Sequence, residues 1–273
     1  MALTDNCDLY GSVNENGVNG IIRHIMRQRP SLFNYATADI ANNRRLWCSR
    51  VDFTPDVPKN GNPFFTIMPP LPLLGTSSPQ VGVGFCVQLT QARIDFFPGN
   101  TISLPAELSP PLKDQRFSLS FRFCAAIACP SQDEIDRIPF AEPNADTGAA
   151  RVLPPPIVLR GRLKCFCLEA FVVGHFEHAL IGGHESLLGK VEDLDIVDIK
   201  PDDLEDNIVC FLKTNLNVVL RQKLAVAIET FMLSFPLFGL ATITLSPTPN
   251  PPVPNNPAIE DDQLKVFVTM TVI

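Results

Sequence analysis

Apolar residues recur every three to four positions at Leu204, Ile208, Phe211, Leu212, Leu216, Val219, Leu220, Leu224, Ala227 and Ile228. That spacing stacks side chains on one helical face. It predicts a single amphipathic helix from about Pro201 to Thr230, roughly 40 Å long at 1.5 Å rise per residue. A shorter run of the same period, Val18, Ile21, Ile22, Ile25 and Met26, predicts an N-terminal helix. Pro30 stops it, and Arg27 and Arg29 sit at the end where cations suit the helix dipole.

Elsewhere the period is two. Val81, Val83, Phe85, Val87 and Leu89 alternate with Gly82, Gly84, Cys86, Gln88 and Thr90, and the apolar phase then switches to Ala92, Ile94 and Phe96. A phase switch inside one extended run predicts a bulge that bends the strand. Phe117, Leu119, Phe121 and Phe123 alternate with Ser118, Ser120 and Arg122, which predicts a one-sided strand with its phenylalanines inward. A further extended stretch runs from Ile157 to about Leu180, and two closing strands are expected at Leu237–Leu245 and Leu264–Val272.

Proline marks two other segments. Seven prolines between residues 55 and 79 are interleaved with Phe64, Phe65, Met68, Leu71, Leu73 and Leu74. Because proline removes ladder donors, this reads as an apolar loop or edge, expected to form a flap at one end that gates a ligand, touches a membrane or contacts a partner. Residues 246–257 read as a polyproline-like surface link. With residues 1–14 as a polar lead-in, the whole of 1–273 is expected to be one elongated α+β domain. Its expected form is a highly curved antiparallel sheet or barrel wrapped around the long helix, with the short helix beside it.

Composition narrows the classes. Hydrophobic residues are 45% and charged residues 19%, which marks a folded chain. No apolar run is long enough to span a bilayer as a helix, and the first residues lack a basic leader and apolar segment, so a cytoplasmic protein is expected. A net charge of −7 argues against nucleic acid as a partner. Without an export signal, the eight cysteines are expected to be reduced thiols.

The element order, the segment Val191–Lys200 before the long helix, and the return through Leu237–Leu245 together resemble the tubular lipid-binding superfamily, typified by the bactericidal permeability-increasing proteins. The resemblance covers most of residues 15–273 and carries no diagnostic motif. It implies a long barrel whose interior accepts acyl chains. The missing leader and a length sufficient for one barrel rather than two depart from the secreted members.

Candidate chemistry is sparse. His175, His178 and His184 with Glu177 and Glu185 are the best candidates for a metal or catalytic site, but their spacing is not that of a zinc motif. Gly183 to Val191 misses the phosphate-loop spacing, Gly82-Val-Gly84 lacks a third glycine, and no serine elbow occurs. The acidic run from Glu192 to Asp206 reads as a solvated connection. The expectation is therefore a non-enzymatic protein without cofactor, binding a lipid or other elongated apolar ligand. Phe85, Val87, Phe117, Leu119, Phe121 and Phe123 would line one wall of the channel, and Leu212, Leu216, Val219 and Leu220 the other. The alternative is a structural subunit with a packed interior. Both readings allow self-association or a larger complex.

Overall fold

The computed structural model describes residues 6–72, 81–129, 133, 157–159, 162–181, 184–200, 225–227, 235–237, 241–248, 253 and 255–272. In chain order the elements are β1 (Leu9–Asn14), α1 (Glu15–Gln28), β2 (Asn34–Ala36), α2 (Ala38–Ala41), α3 (Asp56–Lys59), β3 (Thr66–Ile67), β4 (Leu71–Pro72), β5 (Val81–Val83) and β6 (Phe85–Phe96). They continue with β7 (Phe117–Cys129), β8 (Ile157–Leu159), β9 (Arg162–Ile181), β10 (His184–Lys200), β11 (Ala225–Ala227), β12 (Phe235–Leu237), β13 (Ala241–Pro247), β14 (Ala258–Glu260) and β15 (Gln263–Val272).

The main sheet has seven strands in the order β11-β10-β9-β7-β6-β2-β3. A second sheet runs β1-β15-β13-β12 with β14 also on β15, and a third runs β4-β5-β8. The centre of the main sheet is a meander of long antiparallel strands, β6, β7, β9 and β10. The bulge predicted from the phase switch is present, as the β6–β7 register shifts between Leu89 and Gln91.

The helix-in-barrel expectation is corrected. Strand dominates the described residues, their α-helices are three and short, and the sheets they form do not close into a barrel. Within the span expected to be helical, Ala225–Ala227 is β11, paired antiparallel with Ser186–Leu188 of β10. Local periodicity is a weak preference that a sheet edge with open ladder positions overrides. The rest of Pro201–Thr230, including Leu212, Leu216, Val219 and Leu220, lies outside the described residues. The acidic connection is corrected too: Glu192, Asp193, Asp195 and Asp198 belong to β10, and Asp195 is 4% exposed.

The predicted N-terminal helix is α1, ending at Gln28 before Pro30. Its polar residues do the anchoring. Asn19 donates to the carbonyl of Ile94 at 2.7 Å and accepts its N–H at 2.8 Å, while the Glu15 carboxyl accepts the Phe96 N–H at 3.0 Å. Two side chains four residues apart thus satisfy ladder positions of β6 beyond its pairing with β2, closing an edge that would otherwise invite another strand. Ile21 and Ile25, expected inward, are exposed instead.

Cysteine chemistry also departs from expectation. Cys48 is bonded to Cys165 and Cys124 to Cys167. Cys124 and Cys167 are direct cross-strand partners on β7 and β9, with Cα atoms 4.1 Å apart, near the close spacing of a non-hydrogen-bonded antiparallel pair. No helix among the described residues is long and apolar enough to cross a membrane.

Candidate functional site

In a sheet, residues paired across strands share a face, as do residues two apart on one strand. On β6, β7 and β9 this rule builds a phenylalanine face in lateral rows. From one end these rows are Phe96-Phe117-Gly174, Ile94-Leu119-Val172, Ala92-Phe121-Ala170, Leu89-Phe123-Leu168, Val87-Ala125-Phe166 and Phe85-Ile127. The predicted wall residues Phe85, Val87, Phe117, Leu119, Phe121 and Phe123 do lie together on it.

Burial changes along this face. Phe96 and Phe117 are 1% exposed, and Ile94, Leu119 and Val172 are also buried, covered by Val18 of α1 and by Ile259 and Leu264 of the second sheet. At that end Gly174 leaves room for the Phe117 ring and the Lys190 carbonyl, against which any side chain would collide. Phe121 and Phe123, with ring centroids 6.0 Å apart, are partly exposed, as are Leu89, Val87, Ala125, Phe166 and Phe85, whereas their β9 row partners Ala170 and Leu168 are buried. Ile127, in the last row, is 47% exposed.

The opposite face reverses the order expected of an amphipathic strand. At the open end its residues are Cys86 and Gln88 on β6 and Cys124, Ala126 and Ala128 on β7, and all five are buried. Residues 36–65 cover them, with Ile40, Val51 and Phe65 packed beside Cys86 and a ring cluster of Trp47, Phe53, Phe64 and Phe65 outside. The polar and small side is inside, and the large apolar side faces out. Ser118 and Ser120, expected outward, are buried at 1% and 4%, which corrects the one-sided reading of β7.

No protein-family model matches this chain, and no curated protein matches it.

The remaining candidates fall elsewhere. In the segment expected to form a flap, Phe65 is 3% exposed and Phe64 belongs to the ring cluster, whereas Met68 and Leu71 are each 39% exposed. Leu73 and Leu74 lie outside the described residues. His175 joins an ion network: its Nδ1 lies 2.7 Å from Glu192, whose other oxygen accepts Arg116 Nε at 2.6 Å, and Lys190 meets Glu177 at 3.4 Å. Both ring nitrogens of His178 are buried and meet no hydrogen-bond partner among the described residues. A cleft of about 280 Å³ beside them is lined by Gln115, Arg116, His175, His178, Asn256 and neighbours. Among the described residues no group of three histidine, cysteine or carboxylate side chains is placed to hold a metal. Between them, the Glu192 and Glu177 carboxylates hold both ring nitrogens of His175. Sequence periodicity placed the apolar residues on one face; it carried no signal that half of this face is left uncovered, because covering depends on where α1 and the second sheet pack.

Proposed function

We propose that this chain is a binding and assembly module without catalytic chemistry, and that the open half of the phenylalanine face docks an apolar element of another protein. The observation that carries this is the inversion at the open end, where Phe85, Val87, Phe121, Phe123 and Ile127 are partly or well exposed while Cys86, Gln88 and Cys124 behind them are buried. Contiguous apolar surface of this kind is costly in water and marks contact sites. The partly exposed positions lie on β6 and β7 and reach β9 at Phe166, over about 20 Å along the strands. An amphipathic helix of about 14 residues has that length. Each square ångström of apolar surface removed from water contributes about 25 cal/mol before ordering costs.

A lipid is the second reading, favoured by side chains that offer no hydrogen-bonding handle: phenylalanine outnumbers tyrosine and tryptophan 19 to 3 in the chain. An acyl chain lying on an open sheet would keep its outer side in water, so the protein partner ranks first. A photo-crosslinking amino acid placed at Ile127 in the native host separates them. A discrete adduct of protein mass is expected; an adduct of lipid mass selects the second reading. Adducts no more abundant than those from Arg122, on the opposite face of the same strand, contradict both.

A further inference from the structure

Five cysteines gather on or against the sheet face behind the open rows. Cys86 of β6 lies opposite Ala126 of β7, which lies opposite Cys165 of β9. Two residues along, Gln88 lies opposite Cys124, and Cys124 opposite Cys167. Cys48 comes down from the covering segment to bond Cys165. Cys86 alone in this group holds a thiol, and it is fully buried.

The covering segment is clamped over that thiol. The Gln88 carboxamide accepts the Ser49 N–H at 2.9 Å and donates to the Ser49 carbonyl at 3.0 Å, as a neighbouring strand would. Next to this clamp, the Cys48 N–H donates to the Cys86 sulfur, and the thiol itself points to the Gln88 oxygen at 3.6 Å. Cys165 is two strands away from Cys86, about 9.6 Å between backbones, beyond the roughly 7 Å that a disulfide bridges. Cys86 is therefore placed against one half of the Cys48–Cys165 bond and out of reach of the other. Burial pushes the Cys86 thiol up from its ordinary value, which keeps it protonated while the cover is closed.

We propose that Cys86 is a resident exchange thiol for the Cys48–Cys165 bond, and that exchange moves the staple from β9 to β6 while releasing Cys165 as a modifiable surface thiol. Cys86 gives its proton to solvent, its sulfur forms a bond to Cys48 Sγ, and the electron pair of the Cys48–Cys165 bond leaves on Cys165, which takes up a proton. One disulfide and one thiol are present before and after, so no oxidant is required. The product differs in exposure, because Cys86 is buried whereas Cys165 sits at an exposed position. The segment stays tied down in both states, but in the exchanged state it no longer tethers β9.

The test uses the full-length protein purified without reductant and held at about pH 8.5, near an ordinary thiol pKa. Samples are trapped with iodoacetamide over time and their peptides mapped without reduction. The Cys48–Cys86 peptide should grow in step with alkylated Cys165, and Cys86→Ala should lose both signals. Alkylated Cys86 with Cys48–Cys165 intact, and no Cys48–Cys86 species at any time, would overturn the proposal. A second variant guards against misfolding of the first. In Cys165→Ala, oxidised glutathione should convert Cys48 and Cys86 to a disulfide with release of two reduced glutathiones. A lasting glutathione adduct on Cys48 beside a free Cys86 would sink it.

Discussion

Replacing Glu15 by glutamine should make the protein more stable above neutral pH and nearly remove one component of its pH dependence. Glu15 is 1% exposed at the start of α1, and Asp95 of β6 beside it is fully buried. Asp95 already accepts the N–H groups of Asn100, Thr101 and Ile102, and Asp262 in the β14–β15 turn adds a further negative charge nearby. Burial pushes the Glu15 carboxyl up from 4.5 to about 7, the two aspartates add to the rise, and the Phe96 N–H opposes it. The folded state thus binds this proton more tightly than the unfolded chain. The contribution is full below pH 4.5 and is lost as pH rises through about 7. At about 1.4 kcal/mol per pH unit, the interval amounts to about 3 kcal/mol. Glutamine imitates the protonated acid, since its oxygen can still accept from Phe96 and its NH₂ can donate toward Asp95. Urea unfolding at closely spaced pH values between pH 4 and 9 measures the effect. The difference between Glu15→Gln and the parent should grow in favour of the variant by about 3 kcal/mol across that range. A constant difference, or one that grows in favour of the parent, refutes the assignment of the proton to Glu15.

Three other outcomes follow from the packing. Thiol titration in denaturant should find at least four more thiols with reductant than without, and breaking the 43- and 117-residue loops should cost about 4 and 5 kcal/mol if taken singly. The two loops overlap, so the combined loss read from denaturant midpoints should be smaller than the sum. Gly174→Ala should destabilise by about 1–3 kcal/mol, because its Cβ meets the Lys190 carbonyl and the Phe117 ring; an unchanged midpoint would show that β9 and β10 can separate there. Gln88→Leu should cost about 1–3 kcal/mol by stranding the Ser49 backbone groups, and amide exchange at Ser49 should quicken.

Strand period, the bulge near Thr90 and the stop at Pro30 were legible because each is set by neighbours in the chain: an alternation, a phase switch, a missing N–H. The failures have the opposite character. The pattern around Ala225–Ala227 suits a helix locally, yet the ladder of β10 pairs with it. The acidic residues of β10 look solvated, but Asp195 is buried by packing from other parts of the chain. The cysteine spacing suggests no pairing, whereas the Cys124–Cys167 bond depends on the register of β7 against β9, which no spacing in the sequence states. The same holds for the candidate site. Phe117 to Phe123 could be placed on one face, but not divided into a covered half and an open half, since α1 and the second sheet, through Val18, Ile259 and Leu264, make that division from far away in sequence.

That division is tested most directly by the stability cost of alanine at four successive positions of one face: Phe117, Leu119, Phe121 and Phe123. Denaturant unfolding of the isolated protein should show a loss of about 3–5 kcal/mol at Phe117, a comparable loss at Leu119, and a decline to about 1–2 kcal/mol at Phe123. A flat profile, with Phe123→Ala as damaging as Phe117→Ala, would mean that the face is closed along its whole length and would contradict the docking account.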